Sequence, residues 1–217
     1  MRDLDQTLIK FDHDKNFKNE DFFLSKSNKH VFDFLNIWPK WEKNFVNIIG
    51  EKFSGKTHLM NIFLQKNKGI KFEGKSLRND DLKKVKIYEN IVIENLSLDV
   101  NEKLLYSLLN LIEHDNKFIV ITSVKPIVDI PFSLHDLKSR AKNFILYNIE
   151  KPDDELIFAI ILKNLSDRQI SLDGKFIEFI IKRIERSYSK IYDFIYKIDQ
   201  LSLKKKNQLT LELLKKS

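Results

Sequence analysis

Short apolar runs alternate with amphipathic segments over the first two thirds of the chain. The runs at 45–49, 88–93 and 118–122 are rich in Val, Ile and aromatic residues, which is typical of strands buried on both faces of a parallel sheet. Between these runs, apolar residues recur at helical spacing over 57–64 and 104–112. This alternation predicts βαβ units and a parallel sheet with right-handed crossovers.

The pattern changes after residue 150, where every segment becomes helical. Helices are predicted over 153–164, 174–186, 189–203 and 209–214. The predicted fold class is therefore α/β, a parallel-sheet domain at 21–150 followed by a small all-helical domain at 151–217. Residues 1–20 are polar and poorly periodic, and they are predicted to form an extended tail.

One further helix is predicted ahead of the first strand. Its apolar residues at 31–35 have amphipathic spacing, Ser27 and Asn28 precede it as caps, and Pro39 ends it.

The segment 50–57, Gly-Glu-Lys-Phe-Ser-Gly-Lys-Thr, fits the phosphate-binding loop G-x-x-x-x-G-K-[ST]. Gly50 and Gly55 let backbone N–H groups surround phosphates, and the following helix adds positive potential at its N-terminus. Lys56 is expected to reach the β- and γ-phosphates, and Thr57 to place its hydroxyl on Mg²⁺. The alternative is a glycine-containing turn, but a strand precedes the segment and a helix follows it, as the motif requires. We therefore predict ADP or ATP, with Mg²⁺, as cofactors.

A second acidic element is expected where the run at 88–93 ends. Glu94 follows it and is predicted to hold Mg²⁺ through water. Asn95 comes next and has no carboxylate to act as a general base toward water. We expect nucleotide binding with weak hydrolysis, so the sequence leaves open whether the chain is an enzyme. The alternative is that Glu94 and Asn95 only begin a loop.

Several segments of the chain resemble the AAA+ region of the bacterial initiator DnaA, and most closely its Hda-type regulators. They are the segments at 21–24, 37–39, 55–60, 104–110, 122–123 and 136–140. The resemblance implies an AAA+ P-loop domain with a helical lid. It also implies a regulator of replication initiation with two partners, the initiator DnaA and the DNA polymerase sliding clamp.

The resemblance implies roles for further residues. The nucleotide-binding residues it suggests, beside those of the loop, are Phe23 and Leu24 near the adenine, Ser54 and His58, Thr122 as the first sensor, and Lys190 as the second. The family normally has Arg at the second sensor position, and Lys keeps the charge but loses the bidentate fork.

Arg140 stands where the family carries an arginine finger, the guanidinium that one AAA+ protein inserts beside a neighbour's nucleotide. By itself, an Arg near a helix end is more often a solvated charge or part of a local salt bridge.

The N-terminal stretch 6–11 resembles peptides that dock on the sliding clamp, and Hda-type proteins carry theirs at this end. The predicted anchors are Gln6, Leu8, Ile9 and Phe11. The alternative is a tail with incidental apolar residues. We expect an extended segment that becomes ordered on binding.

The net charge of +7 permits weak contact with nucleic acid but does not require it, because the Lys residues are spread along the chain. Cysteine is absent, and no apolar run approaches the length of a membrane span. The first residues also lack the pattern of a secretory signal. We therefore expect a cytoplasmic protein without a membrane partner. Because the sequence stops at Ser217 without the initiator's helix-turn-helix domain, we do not expect it to read an origin as the initiator does.

The leading hypothesis is an adenine-nucleotide-binding regulator that stimulates ATP hydrolysis in the initiator through Arg140. The alternative is an autonomous AAA+ ATPase or loader that acts directly on DNA. A P-loop kinase would fit the glycine loop but not the helical C-terminal part. The preference for ADP or ATP and the formation of a homo-oligomer are left open by the sequence.

Overall fold

A five-stranded parallel sheet forms the centre of the protein. The computed structural model describes residues 22–170 and 174–204, with side chains described up to Leu201. The strands are β1 (Phe45–Ile49), β2 (Gly69–Glu73), β3 (Asn90–Leu96), β4 (Phe118–Ser123) and β5 (Ile145–Asn148). Their order in the sheet is β2-β3-β4-β1-β5, and every pairing is parallel.

The described residues also form eight α-helices. They are α1 (Lys29–Asn36), α2 (Lys56–Lys66), α3 (Asp81–Val85), α4 (Glu102–His114), α5 (His135–Ala141), α6 (Asp154–Asp167), α7 (Gly174–Ile181) and α8 (Tyr188–Lys204). Strands and helices alternate up to β5, and only helices follow it. The predicted fold class is therefore confirmed.

The three central strands β1, β3 and β4 are buried on both faces, as expected for parallel strands covered by helices. Ile91 and Ile121 point into the core that contains the buried residues of α4 together with Leu137 and Ala141 of α5. The alternate residues Val92 and Val120 point into a second core, together with residues of α1 and α2. Because side chains on both faces of β1, β3 and β4 are buried, apolar residues predominate in these three strands.

The helices after β5 have a core of their own, built from buried Ile, Leu and Phe residues of α6, α7 and α8. The segment that joins them to the sheet is tied to the start of α1. Ser27 Oγ donates to the carbonyl oxygen of Lys151 (2.9 Å), and the Asp153 carboxylate caps α6 by accepting from Leu156 N (2.8 Å). Burial tends to raise the pKa of Asp153, but the hydrogen bonds that its carboxylate accepts, among them those from Leu156 N and Ser27 Oγ, outweigh it and lower that pKa. The domain boundary near Lys151 remains a prediction.

Some predicted elements were wrong in detail. Strands β2 and β5 and helix α3 were not predicted, because each has four or five residues and the two strands lie at the edges of the sheet. The third strand begins at Asn90 rather than at residue 88 and continues through Glu94 and Asn95 to Leu96. The alternative that Glu94 and Asn95 only begin a loop is therefore wrong.

Two helix ends also differ from the prediction. Asn28 is the N-cap of α1, but its side chain does not cap the helix; it accepts from Ser25 N and donates to the carbonyl oxygen of Phe23, both at 3.0 Å. Helix α7 ends at Ile181 instead of near residue 186. The predicted tail at 1–20 and the helix at 209–214 lie outside the described residues.

Asn47 provides a test of how the sheet holds the loops at its carboxyl edge. Its side chain is fully buried, donates to Ile121 O (3.0 Å) and Ser123 Oγ (2.9 Å), and accepts from Ile127 N (2.8 Å). Asn47→Ala should lower the free energy of unfolding by about 2 to 4 kcal/mol, because buried polar groups lose their partners.

Denaturant unfolding measures this change. The exposed Asn79 is the control, and Asn79→Ala should change the free energy of unfolding by less than about 0.5 kcal/mol. Equal effects of the two substitutions would contradict the role assigned to Asn47.

Candidate functional site

The glycine loop lies at the carboxyl edge of the sheet, between β1 and α2. Gly50 N donates to Ser123 O of the neighbouring strand (3.1 Å), so the loop starts from a fixed position. A Cβ on Gly50 would lie 2.5 Å from Ser54 Oγ, and Gly55 precedes α2 with a φ of +90°. Position 55 therefore needs glycine, and a side chain at position 50 would force the Ser54 side chain to move. The backbone N–H groups of the loop lie at the start of α2.

The Lys56 side chain is folded into this loop. Its Nζ donates to the carbonyl oxygens of Gly50 (2.6 Å) and Glu51 (2.8 Å), and the side chain is buried. Burial lowers the pKa of Lys56 to about 8, while the negative charges of Glu51 and Glu94 oppose that shift. An ammonium group is therefore held inside the loop, where a phosphate would meet it.

Two buried oxygens beside the loop lack hydrogen-bond partners among the described residues. They are Ser54 Oγ and Glu94 Oε1. The other Glu94 oxygen pairs with Lys71 Nζ (3.0 Å), and the Glu94 side chain is 6% exposed. An unpartnered buried carboxylate oxygen is costly unless a ligand, a cation or water satisfies it.

The unpartnered oxygen of Glu94 fits a hydrated Mg²⁺ better than a cation held by protein ligands alone. Among the described residues, no group of three His, Cys, Asp or Glu could hold a metal ion. Mg²⁺ usually keeps several waters and is shared between one or two protein ligands and substrate phosphates. Glu94, through water, and Thr57 would be the protein ligands of this Mg²⁺, as predicted from the sequence.

Asn95 is turned away from the glycine loop. Its backbone has a φ of +54°, its N–H donates to Thr122 Oγ1 (3.0 Å), and its Nδ2 donates to both carboxylate oxygens of Glu73 (3.2 and 3.3 Å). Glu73 ends β2, which lies on the side of β3 opposite the strand that leads into the loop. Glu73 was not predicted as part of the site, because it lies at the end of β2, a strand that was not predicted. Thr122, the predicted first sensor, is fully buried and holds Asn95.

An aromatic residue that the sequence analysis missed lies against the loop. Phe22 Cε2 would be 3.2 Å from a Cβ on Gly55, and the Phe22 ring packs edge-on against His58 with centroids 5.2 Å apart. The predicted neighbours of the adenine, Phe23 and Leu24, are 46% and 42% exposed. Phe23 lines an apolar groove with α6. The sequence could have indicated Phe22, because it directly precedes Phe23 in the segment 21–24 that resembles the family.

The lid contacts the loop through two side chains. The Glu51 carboxylate accepts from Ser187 Oγ, Tyr188 N (3.0 Å) and Ser189 N (3.3 Å) at the start of α8. The Phe53 ring stacks on Tyr192 of α8 with centroids 4.8 Å apart. Burial raises the pKa of Glu51, but the hydrogen bonds from α8 outweigh it and lower that pKa overall. Sequence spacing gave no signal for these contacts, which join residues more than 130 positions apart.

The predicted second sensor, Lys190, lies in the first turn of α8 and is exposed. Its backbone N–H is 3.5 Å from Ser187 Oγ. Lys190 therefore belongs to the part of the lid that meets the glycine loop, and its role toward a nucleotide remains a prediction.

Arg140 lies near the end of α5 and has local partners. Its guanidinium pairs with the Glu113 carboxylate of α4 and lies over the Tyr106 ring, 5.5 Å from the centroid. The Arg140 side chain is 22% exposed and that of Glu113 is 53% exposed. The local salt bridge considered from the sequence is therefore present, and a finger role would require that pair to open.

The predicted clamp anchors Gln6, Leu8, Ile9 and Phe11 lie outside the described residues. Among the residues that the structure describes, no helix is both long and apolar enough to cross a membrane.

A glycine loop at the carboxyl edge of a parallel sheet, followed by a helical lid that touches the loop, defines an AAA+ P-loop protein. Solved structures share this fold. Domain III of the Thermotoga maritima replication initiation protein DnaA has a TM-score of 0.72 at 16% identity, covering 91% of this chain and 93% of that one. AMPPCP-bound DnaA from Aquifex aeolicus has a TM-score of 0.67 at 18% identity, covering 87% and 66%.

The sequence comparisons narrow the class. The family model described as the lid domain of Hda matches residues 153–217. The chromosomal replication initiator protein DnaA of Buchnera aphidicola subsp. Cinara cedri is 25% identical over 237 residues, covering 97% of this chain. The chain spans about half, 54%, of that relative. The lid of this chain is therefore similar to that of Hda, and the chain is similar in sequence and fold to AAA+ proteins of the DnaA family.

Lys56 allows a direct test of the site. Lys56→Ala should abolish nucleotide binding, because it removes the ammonium that the loop holds where phosphates would lie. Calorimetric titration with ADP and Mg²⁺ measures the loss.

Lys52 is the matched control, since it belongs to the same loop but is exposed and lies 5.2 Å from the centroid of the Phe53 ring. Lys52→Ala should bind ADP within about twofold of the wild type, because an exposed charge contributes little. Normal binding by a folded Lys56→Ala variant would remove the loop from the proposed site.

Proposed function

We propose that this chain binds ADP or ATP with Mg²⁺ and regulates the initiation of DNA replication. In this proposal, the nucleotide-bound chain docks on the DNA-loaded sliding clamp through Gln6 to Phe11. It then inserts Arg140 beside the ATP of the initiator DnaA, and the hydrolysis that follows takes place in the initiator.

The observation that carries the proposal is the contrast between the loop and Asn95. The glycine loop, Lys56 and the unpartnered oxygens of Ser54 and Glu94 suit phosphates and a hydrated cation. The position expected to orient an attacking water instead carries an amide, and that amide is bonded to Glu73. A site that binds nucleotide without a positioned base suits a protein in which the bound nucleotide stabilises a conformation and is not rapidly hydrolysed.

The comparisons support nucleotide binding and the initiator DnaA as the partner. The Aquifex initiator, which shares the fold, was solved with the ATP analogue AMPPCP bound. The lid matches that of Hda, and the curated relative is a replication initiator. AAA+ domains place an arginine from one protein beside the nucleotide of the next, so a likeness between regulator and initiator favours such a pairing.

The net charge of +7 favours a second candidate, an autonomous AAA+ ATPase or loader that acts on DNA. Measuring ATP turnover by the purified chain, alone and with DNA, separates the two. The regulator should turn over slowly in both cases. Rapid, magnesium-dependent turnover by the pure chain would favour the loader.

If Arg140 is a finger, its substitution should change ATP hydrolysis by the initiator. Arg140→Ala should keep nucleotide and clamp binding but lose stimulation of ATP hydrolysis by the initiator, by roughly 10³-fold or more if the finger acts as in known cases. Arg140→Lys should also be poor, because an ammonium cannot span two phosphoryl oxygens with a planar fork. The measurement is initiator ATP hydrolysis in the presence of clamp and DNA.

Glu113 supplies the control that separates a finger from a structural arginine. Because this ion pair is partly solvated, Glu113→Gln should change stability by less than about 1 kcal/mol and should retain full stimulation. A structural role predicts that Glu113→Gln and Arg140→Ala both melt earlier and lose every activity together. Full stimulation by a stable Arg140→Ala protein would exclude the finger.

The clamp segment is tested separately. Gln6→Ala or Phe11→Ala should weaken clamp binding at least about tenfold, since anchors of this kind carry most of a peptide's affinity. ADP affinity should stay unchanged. Lys15→Ala, just outside the segment, is the control. Equal clamp affinity for a chain lacking residues 1–12 would show that the segment is only a tail.

A further inference from the structure

Glu94, the predicted magnesium residue, is already paired with a cation of the protein itself. The ammonium of Lys71, from the edge strand β2, lies 3.0 Å from Glu94 Oε2. The same ammonium donates to Asn61 Oδ1 of α2 (2.8 Å). Because two acceptors on different elements hold this ammonium, its position beside Glu94 is fixed.

The register of the sheet explains why the two side chains meet. Lys71 of β2 is opposite Val92 of β3, and Glu94 lies two residues further along β3. Residues two apart on a strand lie on the same face, and Val92 packs in the core that contains residues of α2. Lys71 and Glu94 therefore lie on the face that α2 covers, beside the helix that begins with Lys56 and Thr57.

The negative charge of Glu94 is largely balanced without a metal ion. Lys56 is also within electrostatic range, since the charge of Glu94 opposes the fall in the pKa of Lys56. The Glu94 side chain is 6% exposed and that of Lys71 is 34% exposed, so solvent screens this pair less than it screens two exposed side chains. A dication near Glu94 Oε1 is attracted by one carboxylate but repelled by the ammonium on the other oxygen.

We infer that Lys71 is a positioning residue that, through its ion pair with Glu94, reduces the contribution of Mg²⁺ to nucleotide binding. The chain then binds ADP almost as tightly without Mg²⁺ as with it. A weakly held Mg²⁺ also suits slow hydrolysis, because the metal ion neutralises charge that develops on the phosphoryl oxygens. This inference rests on the proposed nucleotide site, with Glu94 as its magnesium residue.

The test is calorimetric titration of the full chain with ADP, once with Mg²⁺ and once with EDTA, at one fixed ionic strength. In the wild type, the two affinities should differ by less than about threefold. Lys71→Gln should raise the ratio of the affinity with Mg²⁺ to the affinity without it by at least about fivefold, because the amide can still donate to Glu94 but carries no charge. Lys71→Arg keeps the charge and should keep the wild-type ratio.

Two further variants show whether Lys71 acts through Glu94. Lys75 lies in the turn after the same strand and is exposed, so Lys75→Gln should change the ratio by less than about twofold because solvent screens its charge. Lys71→Gln combined with Glu94→Gln should lose the magnesium dependence that Lys71→Gln alone gains. Thermal unfolding of each variant checks that it is folded.

The outcomes separate this inference from the proposed function. If the wild type binds ADP under neither condition, the proposed site fails. If the wild type binds ADP more than about threefold more tightly with Mg²⁺, the role of Lys71 is wrong while the nucleotide site stands, and this result needs no variant. The same conclusion follows if a folded Lys71→Gln variant keeps the wild-type ratio, or if Lys71→Arg or Lys75→Gln raises the ratio as much. A gain that persists in the double variant would also overturn the role of Lys71.

Discussion

The buried ammonium of Lys56 is the interaction on which the site depends. A charge taken out of water is costly unless polar groups surround it, and here two backbone carbonyl oxygens of the loop accept from it. To place these carbonyls, the loop turns sharply, with Phe53 and Gly55 both at positive φ. The carboxylates of Glu51 and Glu94 add negative charge nearby, which supports the charged form of Lys56. The loop is therefore shaped around a cation before any phosphate arrives.

The carboxylates around this cation are distributed unevenly. Glu94 faces the loop with one oxygen unpartnered, whereas Glu73 lies one strand further out and is bonded to Asn95. Binding of phosphates with Mg²⁺ uses a carboxylate with a free oxygen, as Glu94 has. Activation of water would need a second carboxylate that faces the nucleotide. In the proposed function, the carboxyl edge of the sheet thus keeps the groups that bind nucleotide, while Asn95, at the position of a catalytic base, is bonded to the neighbouring strand.

Features of the fold and the site that depend on neighbouring residues in the sequence could be predicted, and features that depend on distant residues could not. The loop from Gly50 to Thr57 and the central strands were predictable, because a contiguous motif and apolar runs specify them. Strand β2 was not, since its register comes only from β3, and Glu73 was lost with it. The contacts of Glu51 and Phe53 with α8 depend on how the lid folds back over the loop, which no short-range pattern encodes. The salt bridge of Arg140 was foreseen as an alternative, but its partner Glu113 was not.

The pairing of Arg140 with Glu113 is compatible with a role toward another protein. Both side chains are partly solvated, and an ion pair in such a setting contributes little to stability, so opening it costs little. A polyphosphate with Mg²⁺ offers several acceptor oxygens to a planar guanidinium, and it can outcompete a single carboxylate. The Tyr106 ring beneath the guanidinium would persist as Glu113 is released, because ring and carboxylate contact different parts of the arginine. The local contacts can therefore keep Arg140 in position in the isolated chain without preventing its transfer to a partner's nucleotide.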